Sequence, residues 1–492
     1  MASVTAQGMS DRFHSFIIRN WVLLMLWAAL TLGLAVFLYA TDMQRDTSRF
    51  EIFFYVPFGL YAIAVYWTYR TRRRTGLAHL GKKERHKVEA GAREALYIIL
   101  VFAIIFRAVF VPTVPTLSDD VYRFYWDGKV AANGVNPYQY APNAVELDKY
   151  QDANWDKINN KDVSSPYPPF SQMTFMVGYL LYPSVQSIYV FKTIATIFDV
   201  LTVIVLFQLL RGFGLDPRLS LLYAWSPLAV IEFAHAGHND SMAIFFMVFS
   251  FLALQRGNRM TSAACLALGA LTKIFPLLFA PVMFRAWGKK GTALFLGLMA
   301  LFYLPYIGAG SQVLSGLSVY TDRWLFNGSI FPTVLRGLLE SGLTSGSQQA
   351  MFIAKIVVAV PFVLALGYLV HRSRKFWFDT RELFKYAFLL VGLFLLLTST
   401  VEPWYVLWVV PFLCVFLSPS WVLFSGSAVL SYYIYIRYDT LNIWQEDMWV
   451  RLLEYLPFLS LLAFEVFYLL GSRAEKSDRK GLAHPSRGAE EE

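Results

Sequence analysis

Apolar runs of about 20 residues recur along the chain and constrain its fold more than any other feature. A helix rises about 1.5 Å per residue, so each run can cross ~30 Å of hydrocarbon. Lipid offers no partner to backbone N–H and C=O groups, and runs of this length select helices as the spanning element. Composition agrees. Hydrophobic residues make up 57% of the 492-residue chain and charged residues 16%, where an ordinary soluble domain carries about 25% charged residues. The net charge of +9 therefore speaks first to membrane topology, and no nucleic-acid partner is expected.

Lys and Arg set the orientation, because short loops rich in them stay in the cytoplasm. Residues 69–95 hold nine of them, and smaller basic clusters lie at 211–218, 255–259, 285–290 and 371–375. This rule gives about 12 spans, near 20–41, 52–69, 95–115, 186–210, 219–236, 239–255, 290–308, 351–371, 384–401, 403–418, 421–437 and 450–471. Both termini fall inside, and the first span, lacking a small-residue cleavage site, reads as an anchor. Three regions are expected: a two-helix hairpin with a basic loop (1–94), a catalytic bundle (95–471) and a disordered tail (472–492). Residues 259–287 run between two basic clusters and are too short for two crossings. With Pro276 breaking "LTKIFP", they predict a re-entrant hairpin with Lys273 near its tip. Irregular backbone at membrane depth must be covered by protein or line a cavity.

The largest outer segment is then 116–185, rich in acids and aromatics. It opens on "LSDDVYRFYWDG", with Asp119 and Asp120 directly after an apolar run. Helix capping is the plain explanation: Ser118 is a good N-cap, and acids in a first turn gain about 0.3–1 kcal/mol each from the helix dipole. The alternative is a general base or a metal ligand facing a cavity. "DDVYRFYWDGKV" and "FSQMTFMVGYLLYP" predict two short interfacial helices. Both cysteines, Cys265 and Cys414, fall in apolar spans, which leaves no disulfide framework.

Five of the seven histidines are cytoplasmic by this topology; His235 and His238 share an outer turn, "EFAHAGHNDS", with Glu232 and Asp240. A divalent metal such as zinc or manganese could sit there or on Asp119 and Asp120, although no HExxH spacing is present. Charges inside spans are costly and mark function by default. Arg107 feeds the acidic motif, Lys192 and Asp199 share a face of the next span as a candidate structural pair, and Glu402 opens "VEPWYVLW". Carboxylates, cations and aromatics gathered at one membrane face suit sugar transfer from a lipid phosphate. A carboxylate takes the acceptor proton, cations neutralise the leaving phosphate, and a greasy groove holds an isoprenoid tail. A lipid-sugar flippase or secondary transporter is the competing class, since broken helices with buried charges also mark carriers. No inverted repeat supports it.

The motifs "SDDVYRFYWDGKVAANGVNPYQYAP", "SPYPPFSQ", "GHNDS", "LTKIFPLLFAP" and "EPWYVLW", in this order, resemble the bacterial polyprenol-phosphate-mannose-dependent mannosyltransferases of the GT-C superfamily, over residues 95–440. The resemblance implies an all-α polytopic membrane protein: a GT-C bundle whose first outer loop carries an acidic motif and interfacial helices. It implies a polyprenyl-phosphate-sugar donor, a glycan or glycolipid acceptor, and a site facing the exterior or periplasm from a bacterial inner membrane. Inverting transfer of a hexose, mannose first, would use Asp119 or Asp120 as base. Lys273, His238, Arg107 and Lys192 would hold the donor phosphate and lipid. Tyr122, Tyr125, Tyr167, His235, Asp240, Glu402, Trp404 and Tyr405 would line the sugar and acceptor site. Glu402 departs from the "HPWY" of many relatives.

Overall fold

A computed structural model describes residues 47–71, 82–441 and 443–482; the anchor expected at 20–41 lies outside them. Among the described residues all regular structure is helical, apart from isolated bridges of Phe326 and Asn327 with Thr400. Among the described residues four stretches are long and apolar enough to cross a membrane: Arg49–Arg70, Val185–Gly212, Phe275–Arg323 and Ser347–Phe376. They differ in role. Half of the apolar window of Val185–Gly212 is buried, against 11% for Ser347–Phe376, so the former is central and the latter shows most of its surface to the surroundings. The all-α membrane class read from the sequence holds.

Two other expected spans, 219–236 and 403–418, are broken, and the breaks have local causes. The 219–236 run becomes short helical pieces punctuated by Ser226 and Pro227 and ending in a π-helical turn, Val230–His235. The 403–418 run is interrupted between Pro403–Val406 and Val410–Leu413, each with proline in its first turn. Both segments are almost wholly buried, as irregular backbone must be when no water is near. The final helix, Met448–Leu482, runs past the end expected near 471, because the polar stretch that follows contains good helix formers and no proline.

The hairpin expected at 259–287 is present. Helix Arg259–Thr272 ends at Lys273, whose extended backbone (φ −139°, ψ 148°) turns the chain. Phe275–Phe279 and the helix from Ala280 lead back, with non-helical backbone at Gly288. Lys273 lies at the turn, as the sequence predicts.

Two helices of the acidic loop, Asp120–Ala132 and Pro169–Leu181, pack face to face. The Phe124 and Phe175 rings stack at 4.5 Å. Arg123 holds Asp127 at 2.9 Å and donates to the Val163 carbonyl at 2.9 Å, while Gln172 donates to Asp127 at 3.1 Å. Gly128 permits this approach: a Cβ there would collide with the Phe175 carbonyl. Gly128→Ala is therefore expected to destabilise the protein by about 1–3 kcal/mol, the usual cost of overpacking, read as a lower unfolding midpoint in detergent. An unchanged midpoint would mean that the helices separate freely.

Candidate active site

Asp119, rather than Ser118, occupies the N-cap position of Asp120–Ala132, yet its carboxyl makes no capping bond. Its carboxylate instead accepts a hydrogen bond from the Asn159 side chain. The plain capping explanation therefore does not account for this carboxyl. Burial pushes Asp119 up to about 7, the neighbouring Asp120 adds to that, and Asn159 and His238 pull it back.

Asp120 has the opposite surroundings. Burial alone would raise it, but the His238 imidazole, with Lys273 and the Tyr167 hydroxyl, outweighs burial and holds it below the usual carboxylate range. His238 Nδ1 lies 3.5 Å from Asp120 and Nε2 lies 3.4 Å from Glu232. Burial works against its charge, and the two carboxylates overcome it and push His238 up to about 9. An imidazolium at neutral pH results. Its ring stacks on Trp404 at 3.8 Å, a favourable seat for a cation. Gly237, with φ +83°, makes the turn that delivers His238 here. Its missing Cβ leaves room for the Lys192 stem, which would otherwise lie only 2.9 Å away.

Lys273 reaches in from the hairpin. Its Nζ lies 3.2 Å from Asp240 and 5.2 Å from the Tyr167 ring centre. Trp408 Nε1 donates to the other Asp240 oxygen at 2.8 Å, which fixes that carboxylate as the lysine's partner. Glu402 enters from the facing segment. Burial, then the negative charge of Asp120, raises its carboxyl well above the ordinary range. Beside it the Tyr405 and Tyr320 hydroxyls pair at 2.5 Å.

Not every predicted residue joins this cluster. Arg107 is fully buried and pairs with Asp199, donating also to the carbonyls of Ala103 at 3.1 Å and Ala224 at 2.8 Å. Lys192, the expected partner of Asp199, donates instead to the Phe110 carbonyl at 3.2 Å and to that of Thr113. Sequence spacing put Lys192 and Asp199 on one helix face, but tertiary packing presents a longer, forked donor to Asp199. His235 turns away from His238. Its Nδ1 bonds Thr113 Oγ1 at 2.7 Å, and Nε2 accepts from the Thr116 amide at 3.2 Å. Because that hydroxyl already donates to the Phe110 carbonyl at 2.6 Å, His235 carries its proton on Nδ1. It pins the approach to Asp119. Tyr125 gives its hydroxyl to Asp152, which also holds Lys129 at 2.5 Å. Tyr122 lies under the Lys157 ammonium at 5.0 Å.

Asn159, Trp408, Tyr320 and Glu232 are the participants that sequence reasoning did not place in the site. Glu232 had a signal, its position in the histidine turn; Asn159 had none, since it is 40 residues from Asp119 in an irregular loop. As for the metal considered above, no three or more His, Cys, Asp or Glu gather to hold an ion among the described residues. Asp119 is instead engaged by the Asn159 side chain, and Asp120 lies 3.5 Å from His238 Nδ1.

Residues 23–289 match the MptA_B family, described as "Alpha-(1->6)-mannopyranosyltransferase, N-terminal domain". No curated protein matches the chain. The crystal structure of the Archaeoglobus fulgidus oligosaccharyltransferase in its apo form aligns with a TM-score of 0.39 and 11% identity, over 76% of this chain. The chain spans 54% of that protein, about half its length. The family match takes in more than half of the chain, including Asp119, Asp120, His238 and Lys273. The chain belongs to the alpha-(1→6)-mannopyranosyltransferase family.

Proposed function

We propose that the protein transfers mannose from a polyprenyl-phosphate donor to a glycan or glycolipid on the outer face of a bacterial inner membrane, with inversion at the anomeric carbon. The observation that carries this reading is the contrast between the two adjacent acids. Asp120 has a cation against it, which weakens it as a base. Asp119 has the neutral Asn159 amide as its hydrogen-bond partner and, with His238 acting on it less than burial and Asp120 do, is pushed up to about 7, close to the pH at which a general base works best.

In the proposed step an acceptor hydroxyl oxygen attacks the anomeric carbon. Its proton passes to Asp119, and the bond from that carbon to the phosphate oxygen breaks, its electron pair leaving with the lipid phosphate. No second carboxyl need act as acid, because phosphate leaves readily; the single base otherwise parallels that of inverting glycosidases. Lys273 and His238 would meet the phosphate charge, Lys273 being the accessible member at 15% exposure. Asp120 and Glu232 keep His238 protonated for that task.

The pH profile tests the assignment. Asp119 must be deprotonated to act, so transfer should rise with pH through about 7. His238 must be protonated to hold phosphate, so transfer should fall through about 9. The measurement is kcat/KM for radiolabelled polyprenyl-phosphate-mannose with purified protein in detergent. The rising limb should vanish in Asp119→Asn and the falling limb should flatten in His238→Gln. A flat wild-type profile between pH 6 and 10 would remove both roles (~1 unit beyond each titration).

A further inference from the structure

The geometry points to a neutral-sugar subsite in a cavity of about 180 Å³ between the acidic loop and the 304–323 segment. The inference rests on the glycosyltransfer reading and gives the acceptor a place. Tyr138, Gln139, Asp162, Ser164, Gln312 and Ser315 line it. The walls are fixed. Ser164 and Ser315 join their hydroxyls at 2.9 Å, and Tyr138 sits edge-on to Tyr306 at 5.1 Å while donating to the Tyr167 carbonyl at 2.6 Å. Gly316 lies so close to the Ser164 and Ser165 carbonyls that no side chain would fit.

The lining selects a ligand class. The one acid, Asp162, is already paired with Arg323 at 2.6 Å, so the cavity presents no uncompensated charge to a phosphate. The carboxamides of Gln139 and Gln312 are exposed and have no hydrogen-bond partner among the described residues. Two free carboxamides, two serine hydroxyls and a tyrosine edge suit the vicinal hydroxyls of an uncharged pyranose. The cations, by contrast, stand together at His238 and Lys273. Segment 159–167 ties the two places together: Asn159 touches Asp119, Asp162 and Ser164 line the cavity, and Tyr167 faces Asp120. A glycan end seated here lies next to the loop that carries the base.

The test uses the full-length protein in detergent with an α-(1→6)-linked mannotriose as probe, and saturation-transfer NMR to read binding. Wild-type protein is expected to bind it, and Gln139→Ala/Gln312→Ala to bind at least ~10-fold more weakly, since each lost hydrogen bond removes a few-fold in affinity. Binding of radiolabelled polyprenyl-phosphate-mannose should be the same in both. In transfer assays the double variant should raise KM for the mannotriose while kcat stays unchanged. No binding by the wild type, equal binding by the double variant, or a loss confined to the donor would each overturn the subsite. Glutamine-dependent mannotriose binding by a wild-type protein that transfers no mannose would leave the subsite standing and defeat the transfer reading instead.

Discussion

Asp119→Asn is expected to lower mannose transfer by about 10²–10⁴-fold, the usual contribution of a positioned general base, while the protein still folds and binds donor. The substitution keeps shape and removes only the ability to take a proton. Asn159 still has an oxygen to donate to, so the loop need not rearrange. Donor affinity should persist because Lys273, His238 and their partners Asp240 and Glu232 are untouched. The experiment compares single-turnover transfer with equilibrium donor binding for wild type and variant. Full turnover by Asp119→Asn would sink its role as base. If the wild type moves labelled lipid between leaflets of proteoliposomes without transferring sugar, a carrier reading replaces the transferase.

The second large effect is structural. Arg107→Leu leaves Asp199 buried with no cation, and removing one member of a buried ion pair costs about 3–5 kcal/mol. Both side chains are fully shielded, and charges at membrane depth have no water to fall back on. The variant should unfold at a markedly lower temperature in detergent, and Asp199→Leu should do the same. Together, Arg107→Leu/Asp199→Leu should recover most of the loss, because an apolar pair of similar volume replaces the ionic one. If Arg107 instead held the donor phosphate, Arg107→Leu would raise the donor KM at an unchanged midpoint, and the double variant would rescue nothing.

These expectations separate what could be read along the chain from what could not. Hydropathy sums over about 20 neighbouring residues, so the all-α membrane class was legible from sequence. Pro276 and its flanking basic clusters announced the hairpin, and Lys273 lies at its turn. The two loop helices were legible from "DDVYRFYWDGKV" and "FSQMTFMVGYLLYP". The DD pair and the histidine turn were visible as local concentrations of chemistry.

Pairing was not legible, since it depends on which distant residue arrives with the right reach. Asp199 is met by Arg107 from 92 residues away rather than by Lys192 on its own helix. His235 and His238 look equivalent in sequence, yet the π-helical turn and Gly237 send one to Thr113 and the other to Asp120. Trp408 reaches Asp240 across 168 residues. The sequence by itself therefore determined the helical membrane architecture and the inventory of acids, cations and aromatics on its acidic loop, because those follow from local periodicity and composition. Only the tertiary structure decided which acid stands beside a cation and which beside a neutral amide, because the charge a group carries depends on every element packed around it.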